Sequence, residues 1–342
     1  MSPIRWGLLS TARINERLIP VIRDSARCEL LAVASSSGQE KAARYAAQWN
    51  IPRAYGSYQA LLADPEVDVV YLSLPNALHA PWAIHAAEAG KHILCEKPLA
   101  LTAVEVDRMA AAAHGNNVIL QEAVMMRYHS QTIQLQKRVA GGAIGQVRLI
   151  RGLFTFTLER PGDIRLAPAL GGGSIWDLGS YPVSFMRTML SAEPVEVHGW
   201  QISGSGSVDL SFAGQLRFAS GALAQFFSSF QAVPQASVEL IGSIGAIHLD
   251  LPYVNKVGVT SQVRICRVRP NRPSGTFGDA SSLEEETLTY ENVNAYRDEV
   301  EAMVACILEG AEPVVSLADS RGNAAALEAL CASARESRPV RL

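Results

Sequence analysis

Lys91-His92-Ile93-Leu94-Cys95-Glu96-Lys97-Pro98 decides how the first part of the chain is read. The apolar run Ile93 to Cys95 leads directly into an acid, a lysine and a proline, so it reads as a buried parallel strand with a lysine at its carboxyl edge. Ligands of open α/β sheets gather outside the carboxyl ends of such strands, which makes an ammonium there a candidate for chemistry. An X-Pro bond is the peptide that adopts cis at modest cost, so Lys97-Pro98 is a candidate fixed turn that aims the amine into a cleft. The competing reading is a surface lysine in an ordinary strand-to-helix loop.

Short apolar runs and helical spacings alternate on both sides of this segment. Ile4 to Leu9 runs into Ser10-Thr11-Ala12-Arg13 and then Ile14, Leu18, Ile19 and Ile22 at helical spacing. Glu29 to Ala34 ends in Ser35-Ser36-Ser37-Gly38, followed by a helix carrying Ala42, Ala43, Tyr45, Ala46 and Trp49. Val67 to Leu74 ends at Pro75-Asn76, and a helix from His79 to Ala89 precedes the Lys97 strand. A helix over Thr102 to Ala113 and a strand over Asn117 to Gln121 complete the series. Five strands alternating with helices predict an α/β architecture over residues 1–122: a parallel, right-handed, doubly wound sheet of the dinucleotide-binding (Rossmann) kind.

The first turn of that unit, Gly7-Leu8-Leu9-Ser10-Thr11-Ala12, keeps only the first glycine of the usual Gly-x-Gly-x-x-Gly and a small last residue. Its place between the first strand and the first helix lets backbone N–H groups and the helix dipole hold a pyrophosphate, with Ser10, Thr11 and Arg13 as further donors. A small-residue turn that binds nothing is the alternative. At the end of the second strand an Asp or Glu would accept from ribose hydroxyls and repel a 2′-phosphate. Ser35-Ser36-Ser37 and nearby Lys41 stand there instead, which favours NADP; the lack of an arginine leaves NAD or dual use open.

Residues 123–342 read differently. A helix over Gln131 to Ala140 stops at Gly141-Gly142, a long strand follows over Gly145 to Thr157, and a polar loop runs from Glu159 to Leu170. After a helix near Ser174 to Leu190 come alternating segments at Val195–Ile202, Val208–Phe218, Ala222–Phe230, Ser237–Ile241 and Ala246–Leu251, separated by turn residues. This predicts an α+β domain with a large, mostly antiparallel open sheet, one face under helices and the other bare. A bare apolar face predicts a homodimer or homotetramer through it. Arg267 to Ser282, rich in Pro, Gly and Ser, is expected to be a mobile loop. Helices are expected over Asn292–Leu308 and Leu317–Arg335, with the first, near 292–309, packing back on the nucleotide domain.

Composition narrows the function classes. The chain has 342 residues, 48% apolar and 18% charged, with a formal net charge of -3, which suits a two-domain soluble protein and gives no basic excess for nucleic acid. The apolar run at the amino terminus is too short for a signal peptide or a membrane span, so a cytoplasmic location and no membrane partner are expected. Cys28, Cys95, Cys266, Cys306 and Cys331 are scattered, which suggests neither a disulfide framework nor a metal site.

The densest chemical signal in the second half is Gly171-Gly172-Gly173-Ser174-Ile175-Trp176-Asp177-Leu178-Gly179-Ser180-Tyr181. Asp177 and Tyr181 are four apart, so on a helix they share a face and address one site. Ser174-x-x-Asp177 also fits a capping box, in which Asp177 only serves its own helix start, and Pro182 predicts a kink just after Tyr181.

Taken together, Arg5-Trp6-Gly7, Ala54-Tyr55-Gly56-Ser57-Tyr58, Leu74-Pro75-Asn76 with His79, Glu96-Lys97-Pro98, Glu122-Ala123 and the Gly171 to Tyr181 segment resemble the glucose-fructose oxidoreductase and inositol dehydrogenase (Gfo/Idh/MocA) family over nearly the whole chain. The resemblance implies an NAD(P)-dependent oxidoreductase acting on the CH–OH groups of sugars or sugar-like cyclic polyols. It implies that Lys97 anchors the nicotinamide ribose and the substrate hydroxyl, that Asp177 orients the substrate, and that Tyr181 stands where many relatives carry histidine. Asn76, His79 and Glu122 occupy positions that line the nicotinamide in relatives, and Leu74 and Glu96 from the same motifs join the coenzyme set. Arg127, Tyr128, Arg165 and Trp176 are expected substrate or cofactor contacts. Elementary chemistry agrees, because hydride leaves a carbinol carbon only as its hydroxyl proton is removed, and a phenol of ordinary pKa ~10 needs a nearby ammonium to act as that base. A dinucleotide-binding sensor without turnover, or a trans-dihydrodiol-type dehydrogenase, are the competing functions; the Lys97, Asp177 and Tyr181 set favours catalysis.

Overall fold

The computed structural model describes residues 2–160, 162–204, 207–253, 258–269 and 283–342. The chain begins with β1 (Ile4–Leu8), α1 (Asn15–Asp24), β2 (Cys28–Ala34), α2 (Gln39–Gln48), β3 (Arg53–Tyr55), α3 (Tyr58–Leu62), β4 (Val69–Leu72), α4 (His79–Glu88), β5 (His92–Glu96), α5 (Ala103–Gly115) and β6 (Leu120–Ala123). The six strands form one parallel sheet in the order β3-β2-β1-β4-β5-β6, the doubly wound arrangement. Its topological switch point lies between β1 and β4. Successive residues of β4 point to opposite cores: Val69 and Tyr71 join Trp6, Leu8, Ile19 and Leu94, whereas Val70 and Leu72 join Leu61, Ala83, Ile93 and Val106. Both faces are covered, which is why the strands read as unbroken apolar runs.

Two details differ from the sequence reading. The sheet has a sixth strand, β3, whose three half-buried residues are too few to show a periodicity. The last strand starts at Leu120 rather than Asn117, because Asn117 adopts a left-handed backbone (φ 54°) in the turn after α5. Glu122 therefore lies inside β6.

The second part comprises α6 (Ser130–Ala140), β7 (Val147–Thr157), a π-helical turn (Ile175–Gly179) continuing into α7 (Ser180–Leu190), and β8 (Pro194–Ser203), β9 (Asp209–Phe218), β10 (Leu223–Ser229), β11 (Gln231–Gly242), β12 (Gly245–Asp250), β13 (Ser261–Val268) and β14 (Leu283–Tyr290). After α8 (Ala295–Glu309) and α9 (Leu317–Glu336), β15 (Val340–Arg341) closes the chain. These nine strands form one sheet, β14-β13-β12-β11-β7-β10-β9-β8-β15, antiparallel except where β7 meets β10. Strands β13, β14 and β15 were not anticipated; β14, Leu-Glu-Glu-Glu-Thr-Leu-Thr-Tyr, has the acidic composition of a loop and is tied by Glu286 to Arg138 and Arg267. Arg267 and Val268 finish β13, and the rest of the expected loop, from 270 to 282, lies outside the described residues.

The chain divides into two compact units, residues 1–128, 169–171 and 295–324 in the first and 129–168, 172–294 and 325–342 in the second. In the first, Val300, Met303 and Val304 of α8 share a core with Trp6, Ile19 and Tyr71. Asn292 is left-handed (φ 55°), so α8 begins at Ala295 rather than at Asn292. Among the described residues no helix is long and apolar enough to cross a membrane.

Candidate active site

In the first unit the site is built around the turn that leaves β5. The Lys97-Pro98 peptide is cis, and the residues around it are fastened by side chains from four elements. Tyr71 of β4 donates its hydroxyl to Glu96, whose other oxygen accepts the Lys97 backbone N–H at 3.2 Å. The ring of His79, at the start of α4, lies 2.8 Å from Pro98 O through Nδ1 and 2.8 Å from Leu74 O through Nε2. Glu122 of β6 accepts the Leu99 N–H at 2.9 Å. Both ring nitrogens of His79 are thereby spent on carbonyls, and the charge of Arg127 also favours the Glu122 carboxylate. His79 and Glu122 are buried, with exposures of 0% and 2%, and buttress the turn that carries Lys97. Burial lowers the proton affinity of His79 more than its two carbonyl neighbours raise it, and burial likewise pushes the Glu122 carboxyl upward. Asn76 donates from Nδ2 to Gly171 O at 2.8 Å, and Leu74 is buried behind it.

At the switch point, Ser10 bridges β1 and β4. Its hydroxyl lies 2.7 Å from Ser73 Oγ and accepts the Ala12 N–H at 3.0 Å, so it holds the turn rather than facing outward. Gly7 is closely packed: a Cβ there would come within 2.9 Å of Leu61 Cδ2. Thr11 and Ala12 are half-buried and Arg13 is exposed, ahead of an α1 start that has no side-chain cap. At the end of β2, Ser35 is buried and accepts the Ser37 N–H, leaving Ser36, Ser37 and Lys41 exposed. An uncapped helix start beside hydroxyl donors, and a strand end with an amine and no carboxylate, suit the diphosphate and 2′-phosphate of NADP.

Two expected substrate contacts are occupied within this unit. Arg127 pairs with Asp319 of α9 at 2.5 Å. Tyr128 is 3% exposed and hydrogen-bonds with Gln121, so it is part of the interior.

In the second unit, Asp177 lies on the π-helical turn and Tyr181 at the start of α7. The capping box does not form: Ser174 makes no side-chain cap and gives its hydroxyl to Asp209, while Asp177 meets Arg165 Nε at 2.6 Å. Arg165 also lies 3.2 Å from Asp163, and the Asp177 charge is the largest of the causes that raise its pKa. Pro182 lies within continuous helical backbone, and the departure from α geometry directly precedes it as a π turn rather than a kink after Tyr181. Tyr181 is 8% exposed, its ring edge-on to Phe154 at 5.3 Å and 6.0 Å from Tyr253. Trp176 is half-buried. The glycine run has a steric cause, since a Cβ on Gly172 would lie 2.5 Å from Arg165 O and one on Gly173 2.2 Å from Asp209 Oδ1. Tyr71, Asp163 and Asp209 were missed by sequence reasoning; each is a polar residue in or beside an apolar strand or loop, and only Asp209, an acid opening an alternating strand, carried a visible signal.

A doubly wound nucleotide sheet with a lysine at its edge, joined to an α+β unit with an acid and a phenol on one helix, defines a dinucleotide-dependent class of protein. Residues 4–124 match the GFO_IDH_MocA model of an oxidoreductase family with an NAD-binding Rossmann fold, and residues 132–248 match the GFO/IDH/MocA C-terminal domain. An uncharacterized oxidoreductase of Rhizobium meliloti is 36% identical over 98% of both chains, and D-xylose 1-dehydrogenase (NADP(+)) 2 of Haloferax volcanii is 34% identical over 98% of this chain and 99% of its own. A 3-ketoreductase from Actinomadura kijaniata, solved with NADP and TDP-benzene, superposes with a TM-score of 0.88 at 27% identity over 97% of this chain and 98% of its own. The chain belongs to the GFO/IDH/MocA oxidoreductase family.

Proposed function

We propose that the protein is an NADP-preferring dehydrogenase or reductase that moves a hydride between nicotinamide and a carbinol or carbonyl carbon of a sugar or sugar-like cyclic polyol. The observation that carries this reading is the Lys97 turn, a cis-proline segment held by Tyr71, His79 and Glu122 at the carboxyl edge of a nucleotide-binding sheet. A merely solvated lysine has no need of three buried polar supports. When bound, the nicotinamide supplies the hydride acceptor or donor. Tyr181 moves the hydroxyl proton, Lys97 anchors the nicotinamide ribose, and Asp177, held by Arg165, orients the reacting hydroxyl. Thr11 and Arg13 hold the diphosphate; Ser36, Ser37 and Lys41 hold the 2′-phosphate. The named relatives support the substrate class and the coenzyme, and the Actinomadura enzyme has also been solved with a tyrosine replaced by phenylalanine and with a lysine replaced by alanine or glutamate.

A panel of aldoses and cyclitols assayed with NADP+ and NAD+ tests the reading. Turnover of at least one polyol with NADP+, and tighter binding of NADPH than NADH, are expected. Clear preference for NADH would overturn the phosphate site, and no turnover across the panel would overturn the substrate class.

The open face of the nine-stranded sheet exposes Leu153 at 37%, Trp200 at 52% and Leu223 at 51%. We assign it to association between copies of this chain. Trp200→Glu should lower the mass measured by sedimentation; a native protein that sediments as a monomer would sink the assignment.

A further inference from the structure

Asp209, the first residue of β9, is 7% exposed and belongs to neither the coenzyme set nor the reacting groups. Its Oδ2 accepts both the Ser174 hydroxyl at 2.6 Å and the Ile175 backbone N–H at 2.8 Å. Those are the first donors of the π-helical turn that carries Asp177, and the turn runs without a break into α7, which carries Tyr181. The helix supplies no cap of its own, because the hydroxyl of its N-cap residue Ser174 points away to Asp209 and to Ser228, 3.2 Å away. The sheet provides the cap instead. A carboxylate at a helix start satisfies an otherwise orphaned donor and complements the positive end of the dipole. The chain is shaped to admit it: Gly173 takes φ +124° and would place any Cβ 2.2 Å from Asp209 Oδ1.

We propose that Asp209 is a positioning residue for the reaction, whose carboxylate fixes the first turn of the helix bearing Asp177 and Tyr181 and so sets where both side chains point. This rests on the assignment of those two residues to the chemistry. Burial pushes the Asp209 carboxyl up to about 6 while its hydrogen bonds to Ser174 and Ile175 pull it down, so the group is ionised at neutral pH at a cost in stability. Cys331 of α9 also faces it, and burial followed by the Asp209 charge pushes that thiol up to about 12. A buried charge kept in place against its desolvation suits a group retained for positioning.

The test compares Asp209→Ala, Asp209→Asn and Tyr181→Phe in the full chain, by amide hydrogen exchange and by steady-state kinetics on the best polyol of the panel. Asp209→Ala should accelerate exchange over 174–181 by about tenfold, with the rest of the sheet unchanged, and lower kcat by about tenfold while KM for NADP+ stays within about twofold. Asp209→Asn keeps an oxygen acceptor and should restore both to within about threefold of native. Unchanged exchange over 174–181 in Asp209→Ala would overturn the proposal, as would faster exchange with full turnover, or an Asn variant as impaired as the Ala variant. Tyr181→Phe separates the two readings: retained turnover there moves the proton to another group, while the exchange arm still decides whether Asp209 holds the turn. Should Asp209→Ala not fold, Ser174→Ala removes one of the two bonds and is read by the same measurements.

Discussion

The Lys97 turn and the Asp177–Tyr181 helix present the side chains proposed for the reaction by opposite means. Lys97 stands on irregular backbone, a cis-proline turn whose shape is imposed by Tyr71, His79 and Glu122 reaching in from neighbouring strands and a helix. Asp177 and Tyr181 stand on helical backbone, where spacing alone aligns them, and the surroundings have only to settle how that helix begins. The turn depends on many small polar supports; the helix depends on a glycine run and one buried carboxylate. Irregular backbone must have its polar groups satisfied by side chains, whereas a helix satisfies its own except in the first and last turn.

The contrast can be broken at several points. Lys97→Ala should reduce kcat by about a thousandfold with an unchanged circular dichroism spectrum, since it removes the group and spares the scaffold; near-native turnover would make the turn a structural feature only. Tyr181→Phe should cost about a hundredfold and remove the alkaline proton step from the pH–rate profile, and an unchanged profile would place the base elsewhere. Gly173→Ala tests the helix side by sterics, because the left-handed backbone and the 2.2 Å approach to Asp209 both oppose a side chain. It should destabilise the protein by about 2 kcal/mol in urea unfolding, and a neutral result would mean that the loop yields.

The smallest effect concerns pH. Burial raises the folded pKa of Asp209 to about 6, above the ordinary aspartate range. A raised carboxyl contributes stability below its unfolded pKa and loses it as pH rises through the folded value. Native protein should therefore lose on the order of 1 kcal/mol relative to Asp209→Asn between pH 5 and pH 8. Parallel pH dependences of the two proteins would show that Asp209 does not titrate in that window.

Much of this was legible in the order of residues. The parallel sheet could be read because strands covered on both faces are continuous apolar runs, and Lys97 because its oddity is local: an amine and a proline directly after such a run. The serine triplet at the end of β2 was equally local, although only the structure shows that Ser35 turns inward while Ser36 and Ser37 face out. Other features had no local signal. Strand β3 has three residues, and β14 has the composition of a loop and exists because β13 and two arginines accept it. The hydrogen bonds of His79 and Tyr128 were invisible for a related reason, since a polar side chain looks the same in sequence whether it faces a ligand or a carbonyl.

The sequence by itself determined the nucleotide sheet and the two-part organisation and singled out Lys97, Asp177 and Tyr181 as candidates, because apolar periodicity and residue chemistry are properties of neighbours along the chain. The tertiary structure alone decided that His79 and Glu122 are supports, that Ser174 caps nothing, and that Asp209 holds the helix start. Each of those facts is a hydrogen bond between residues 19 to 35 positions apart, and a buried donor pairs with whichever acceptor the packing brings within reach.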